Sequence, residues 1–417
     1  MRLLSVLILI TSCLFAADAT IEVVKQADRL ASIAIEDASP TPENRINQKF
    51  FKSLLGDMNV LSIFNTDRQH HVARFNEGDV LHANEKKDYV LRYQLRALDA
   101  QSYRVDVKFF EHNSVRMQKS YTITKEKLYV FMAHSIAYDI NTLLGQEPIE
   151  WIKRKVLIAR LTSKNTSEIL ITDYTLTYQH VMIKGGLNVF PQWANAEQNA
   201  IYYTSLGGLK PTLYRVDTRT GQKSKVIDSD GMMVCSDVSE DGSKLLLTMA
   251  PKGQPDIYLY DVYTKHYERL TYYEGIDVNG QFMSDENRIV FISNRLNYPN
   301  VFSKIIGTRG VEQLVYYGKS NVSCSAYGDY VVYKSRESSH AFSPNTFNLH
   351  LISTKTDFIR RLTATGVNEF PRFSKDGKAI LFIKNYQNQS SIGIVRLEYN
   401  KNYLFPLRVG KIQSLDW

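Results

Sequence analysis

Cysteine is nearly absent from this chain: three residues in 417, Cys13, Cys235 and Cys324. That scarcity excludes a fold stapled by several disulfides. The usual signatures of catalysis are missing as well. There is no G-x-S-x-G nucleophile turn, no G-x-G-x-x-G, no C-x-x-C and no H-E-x-x-H. Gly318-Lys319-Ser320 lacks the upstream glycine that a phosphate-cradling loop requires. His70-His71 with His82 is the densest histidine group. Adjacent loop histidines read as solvated, so no metal and no cofactor is expected. Past residue 19 no apolar run approaches the ~20 residues of a membrane-spanning helix. No basic run with interleaved aromatics points to nucleic acid.

What is present begins with an export signal at residues 1–19. Arg2 supplies the positive start, Leu3 to Ile10 most of the apolar centre, and Ala17-Asp18-Ala19 an A-x-A cleavage site. Ile10-Thr11-Ser12-Cys13 also resembles a lipoprotein box, which leaves lipidation at Cys13 as the alternative. Once the signal is removed only Cys235 and Cys324 remain, and both are expected as buried free thiols. The charge is uneven: residues 20–150 carry 17 Lys+Arg against 18 Asp+Glu, residues 151–417 carry 33 against 24. The basic second half suits either a solvated surface or an anionic partner.

The second half repeats. An apolar anchor, a polar turn and a β-rich run recur, with anchors at Trp193, Val238, Phe282, Cys324, Phe373 and Trp417. The anchors stand 45, 44, 42, 49 and 44 residues apart. Two or three further β-runs follow each of the first five anchors, for example LYRVD (213–217), IYLYD (257–261) and YERLT (267–271). Four short strands every ~45 residues describe the blade of a β-propeller. Gly242, Gly328 and Gly377 suit tight turns that need positive φ, and the turns without glycine are expected to differ. Six units fit into residues 149–417, and the last segment, KIQSLDW, supplies the strand the first unit lacks. Asp173, Asp217 and Asp261 recur in register and read as turn acceptors. His180, His266, His340 and His350 fall outside the anchor strands, so no convergent channel site is expected.

Residues 20–148 follow another pattern. RLASIAI (29–35) and VLSIF (60–64) read as strands flanking a helix that starts at Thr41-Pro42 and stops at Gly56. Its apolar face is Ile46, Phe50, Phe51, Leu54 and Leu55. Residues 89–98 and 102–110 alternate as a hairpin. A second helix runs from Thr124 to about Leu144, with Leu128, Phe131, Met132, Ile136 and Ile140 inward. The expectation is an α+β domain, 20–148, followed by an all-β six-bladed propeller.

This order of parts resembles the TolB family, periplasmic propeller proteins of the Tol–Pal envelope system of Gram-negative bacteria. Phe370-Pro371-Arg372-Phe373-Ser374-Lys375-Asp376-Gly377 is similar to the family's blade signature, and Phe190-Pro191-Gln192-Trp193 to its first part. Trp151-Ile152-Lys153-Arg154-Lys155-Val156 and Ala133-His134 also stand where that family has an aromatic–basic lead-in and an Ala-His pair. The resemblance implies a monomeric, non-enzymatic periplasmic scaffold that serves outer-membrane invagination at division and envelope integrity. It would bind a Pal-like peptidoglycan-associated lipoprotein through one propeller mouth, and a TolA-like inner-membrane protein through its mature N-terminus. The TolA-like segment would be Thr20, Ile21, Glu22, Val23, Val24 and Lys25, whose alternation suits strand addition to a partner's sheet as well as an ordinary first strand. The Pal-facing residues would be Met232, Met233, Asp277, Val278, Asn279, Ser320, Asn321, Asn368 and Glu369. Here the chain departs from the family: its Asn/Thr-rich, Pro-ended approach survives only around Asn368 to Pro371. The alternatives are an exported propeller that binds a glycan, or one that acts as a lyase or peptidase.

Overall fold

The protein is described from a computed structural model, covering residues 30–77, 87–318, 320–337, 346–356 and 358–417. The expected signal, the Thr20–Lys25 segment, His82 and His340 lie outside these residues.

The first domain is a mixed sheet with two helices. Strands β1 (Ala31–Asp37), β2 (Phe64–Thr66), β3 (His71–Val72), β4 (Tyr89–Ala97), β5 (Tyr103–Glu111) and β6 (Ser114–Ile123) assemble in the order β2-β1-β4-β5-β6, with β3 also on β1. Alternation sorts the side chains. Ile33, Ile35, Leu91, Tyr93, Val105 and Phe109 join one core with helices α1 (Arg45–Val60) and α2 (Tyr129–Leu143). The opposite face holds Ala34, Val90 and Phe110, beside a fully buried Arg92–Glu36 ion pair at 2.7 Å.

The helix-facing residues expected for α1 are confirmed, with Ile46, Phe50, Phe51 and Leu54 buried. Its ends are not. The Thr41 carbonyl is taken by the Asn44 N–H (3.0 Å) and by Asn47 Nδ2 (2.6 Å), so Thr41–Asn44 forms a turn and the helix starts at Arg45. It also runs through Gly56, because Met58 and Val60 are buried one turn further on. Their burial outweighs the ~1 kcal/mol that glycine costs inside a helix. The strand expected at 60–64 is therefore the helix end and a turn, with pairing only from Phe64. β6 had no periodic signal, since it is a largely exposed edge strand.

In the second half, β7 (Val156–Ser163), β8 (Thr166–Thr172) and β9 (Gln179–Ile183) form a four-stranded sheet with Lys411–Asp416 as its innermost strand. Five more four-stranded antiparallel units follow, with innermost strands Asn188–Trp193, Met233–Val238, Asp277–Phe282, Asn321–Tyr327 and Val367–Phe373. A single parallel bridge, Phe347 to Val367, links the fifth and sixth units. The innermost strands contact one another in ring order. Apolar layers fill the spaces between blades, such as Leu157, Ile171, Trp193, Ile201 and Tyr203 between the first two.

One anchor moves. Val331 faces Ala326 as Leu245 faces Val238 and Ile380 faces Phe373, so the fifth anchor is Ala326 and not Cys324. The turn at Gly328-Asp329 is two residues shorter than those at Gly242, Glu286 and Gly377, so the fifth anchor lies two residues later than Cys324. With Ala326 the spacings become 45, 44, 44, 47 and 44. The glycine turns take positive φ at Gly242 (72°), Gly328 (57°) and Gly377 (67°), and Glu286 takes 50° in a turn without glycine. That turn keeps the shape at the cost of strain rather than changing it.

Gly393 pairs with Phe382 across the sixth blade, and a Cβ added there would lie 2.2 Å from the Phe382 ring. Gly393→Ala should therefore destabilise the protein by about 1–3 kcal/mol, seen as a lowered urea midpoint. An unchanged midpoint would mean that the blade relaxes around the methyl group.

Candidate functional site

The innermost strands carry a bulge just before the anchor, where register shifts between Val189 and Gln192, Val278 and Gln281, Val322 and Cys324, and Glu369 and Arg372. The extra residue adopts positive φ at Phe190 (51°), Asn279 (57°), Ser323 (58°) and Phe370 (48°). These four side chains line one mouth of the central channel. The bulge thus turns toward the opening a side chain that a regular ladder would send elsewhere.

The residue before each anchor points to the axis: Gln192, Asp237, Gln281, Ser325, Arg372 and Asp416. Several of them stitch blade to blade. Asp416 accepts the Trp193 N–H (2.8 Å), Asp237 the Phe282 N–H (2.7 Å), and Ser325 Oγ the Phe373 N–H (3.2 Å). Arg372 crosses the channel, donating to Gln281 Oε1 and to the Ser236 carbonyl at 3.2 Å. Burial pushes the Asp237 carboxyl up to about 6 and raises that of Asp416, while the Arg372 charge opposes both shifts. Burial also raises the Cys324 thiol to about 12, and both cysteines are free. Neither is a ready nucleophile.

With Gln192, Arg372 lines two cavities, one on either side of this layer. The cavity at the strand-start mouth is about 430 Å³ and mainly apolar, with Phe190, Met232, Ile276, Val278, Tyr298 and Phe370 in its wall. The opposite one, about 370 Å³, is polar, lined by Asp237, Glu240, Glu286, Lys375 and Asp416.

The nine residues expected at the mouth divide. Met232 (48% exposed), Val278 and Asn279 line the apolar cavity. Ser320 is half-buried, and Glu369 pairs with Lys334 at 2.6 Å. Met233, Asp277, Asn321 and Asn368 are buried and hold the loops in place, which corrects their expected exposure. Asp277 pairs with Arg295 (3.2 Å). Asn321 Nδ2 donates to Asn300 Oδ1 (2.9 Å) and the Tyr317 carbonyl (2.7 Å), and Asn368 Nδ2 to the Phe347 carbonyl (2.9 Å). Phe190 and Phe370 were overlooked. Their shared position three residues before an anchor was the available signal.

A second polar cluster joins the domains. His134 on α2 is fully buried, with Nδ1 2.9 Å from Asp57 on α1 and Nε2 3.3 Å from Asp173 on the propeller. The Tyr174 hydroxyl donates to Asp57. Burial lowers the His134 pKa, but the Asp57 charge and the hydrogen bonds to Asp173 and Asp57 outweigh it and lift the ring to about 9. Asp173 is thus more than the turn acceptor expected. It does accept the Thr175 (2.8 Å) and Tyr178 (2.6 Å) N–H groups, and Asp217 and Asp261 make the corresponding turn bonds alone.

Among the described residues no group of three or more His, Cys, Asp or Glu side chains is placed to hold a metal ion, and no helix is long and apolar enough to cross a membrane. In comparisons with known proteins, the TolB beta propeller domain family matches residues 153–417. The Tol-Pal system protein TolB of Wolinella succinogenes is 47% identical, and its namesake in Campylobacter jejuni strain RM1221 is 43% identical, each over 100% of both chains. A crystal structure of TolB from Acinetobacter baumannii superposes with a TM-score of 0.76 at 18% identity, covering 94% of this chain and 97% of that one.

Two outcomes follow from the buried charges. Arg372→Met removes the main cationic influence on Asp237 and Asp416 together with the hydrogen bonds to Gln281 and Ser236, and should cost about 1–3 kcal/mol at neutral pH. Adding Asp237→Asn and Asp416→Asn should recover much of that loss in urea denaturation, and failure to recover would mean that Arg372 acts through packing. For His134 the folded value, about 9, exceeds the ordinary 6.5, so its stabilisation is complete below about 6.5 and lost as pH rises through 9. The gap in melting temperature between the native protein and His134→Gln should therefore shrink from pH 6 to pH 9.5. A constant gap would show that the ring is neutral throughout.

Proposed function

Because the chain belongs to the TolB family and is a component of the Tol–Pal system, we propose that it is a non-enzymatic periplasmic scaffold with two separate docking elements. The propeller's apolar mouth takes a Pal-like peptidoglycan-associated lipoprotein, and the mature N-terminal segment Thr20–Lys25 takes a TolA-like inner-membrane protein by strand addition. Linking the two supports outer-membrane invagination at division and envelope integrity.

The observation that carries this reading is the division of the channel. The buried Arg372–Gln281 contact leaves a shallow apolar basin on one side, suited to an inserted loop or side chain. Met232, Val278, Phe190 and Phe370 form its partner-facing wall, framed by strand starts that the buried Asp277, Asn321 and Asn368 tie to their neighbours. A catalytic reading finds little support, since the carboxylates in the channel are engaged by backbone N–H groups.

Met232→Asp with Val278→Asp should weaken capture of the Pal-like lipoprotein from solubilised envelopes by about tenfold or more, by placing charge in an apolar contact, and leave TolA-like capture intact. Deleting residues 20–25 should do the reverse. Loss of both partners in either variant, with the fold retained, would rule out separate elements, and turnover of an envelope glycan would favour an enzyme.

A further inference from the structure

A third cavity, about 980 Å³, lies in the cleft between the two domains, and its wall is basic. Helix α1 contributes Arg45, Lys49 and Lys52, spaced so that all three share one face. Lys127 enters from the short helical turn before α2, and Arg408 from the loop after the last outer strand. Glu126 is the one carboxylate in the wall. None of these five cations forms an ion pair among the described residues. Elsewhere Arg92, Arg269, Arg295 and Lys334 each hold a carboxylate within 3.2 Å.

The wall also has an apolar side. Tyr129, Leu176, Tyr178 and Phe405 face the same space, and Lys127 Nζ stands 5.7 Å from the centre of the Tyr178 ring. Five like charges around one concavity focus a positive potential into it, and a walled cleft keeps that potential stronger than a flat surface would. A lone phosphate carries no apolar surface to cover the rings. A bilayer surface cannot enter a cleft. The chain's own residues 20–29 are balanced, Glu22 and Asp28 against Lys25 and Arg29, so they offer no complementary charge.

We propose that this cleft binds an acidic, aromatic-bearing peptide segment of a partner protein. Its carboxylates lie against Arg45, Lys49, Lys52 and Arg408, and its ring against Tyr178 and Phe405. This site is distinct from the propeller mouth and from the N-terminal segment, and its ligand touches both domains at once.

The test titrates the mature chain into a fluorescein-labelled EDEFDE peptide and follows anisotropy. Saturable binding should weaken by about tenfold or more between about 20 and 150 mM salt, as screening shortens. Lys49→Glu/Lys52→Glu/Arg408→Glu should lose at least about tenfold in affinity. Lys49→Gln/Lys52→Gln, less prone to disturb folding, should lose less in the same direction, and Lys223→Glu/Lys225→Glu on an outer strand should bind as the native chain does. Four results would overturn the proposal: no saturable binding at low salt; equal loss in the outer-strand control; native affinity in both cleft variants; or tighter binding of pyrophosphate or of anionic vesicles than of the peptide.

Discussion

The second half of the chain depends on one pairing, Lys411–Asp416 laid antiparallel to Val156–Ser163. Without it the first unit is three strands with an open inner edge, and a ring of sheets becomes an arc. The final residues do more than complete a ladder. Asp416 takes the Trp193 N–H of the second blade, and the Trp417 indole donates to the Phe373 carbonyl of the sixth at 2.8 Å. Trp417 also packs on Trp151, which leads into the propeller, with ring centres 5.7 Å apart. Seven residues therefore bind three blades and the interdomain connection. The apolar core they enter is continuous with that of the first domain.

Buried charge is handled alike in two places. Arg372 serves Asp237 and Asp416 on the channel axis, and His134 serves Asp57 and Asp173 between the domains. In each case one basic group stands among two carboxylates that come from different elements, in direct contact at His134 and through its charge alone at Arg372. Such an arrangement adds little net stability over an apolar filling, yet removing one member is costly because the others stay buried. The consequence is directional: the joints tolerate little rearrangement of the elements that carry these groups.

How much of this was legible from the amino acids depended on what each residue answers to. Blades were readable because every unit must bury two faces, so Trp193, Val238, Phe282 and Phe373 repeat at nearly constant distance. Closure by KIQSLDW was readable for the same reason. Ala326 was hidden because a shortened turn and a small side chain left Cys324 looking like the better anchor. Glycine at position 56 suggested a helix end, but Met58 and Val60 are buried and carry α1 past it. At the mouth, position along the chain was mistaken for orientation. Asn321 and Asn368 stand at the start of their innermost strands, yet their side chains are buried and their amide nitrogens donate to neighbouring strands. Which side chain faces the opening is decided by the bulge, a backbone feature that composition does not reveal, and that is why Phe190 and Phe370 were missed. The shared place of His134 and Asp173 required knowing how the two domains meet.

That bulge separates two duties that most strands must combine. The ladder on either side is satisfied by backbone groups, and the residue at positive φ turns its own N–H to the neighbouring blade, Phe190 to Ser414 Oγ (3.0 Å) and Asn279 to Thr248 Oγ1 (3.2 Å). Phe, Asn, Ser and Phe occupy the position in four blades of this one chain. The scaffold therefore works like a chuck whose jaws are only partly interchangeable: at Phe190 the closing bond is made by the backbone, whereas the Asn279 side chain also donates to the Cys324 carbonyl (3.0 Å) and cannot be exchanged without loosening that joint.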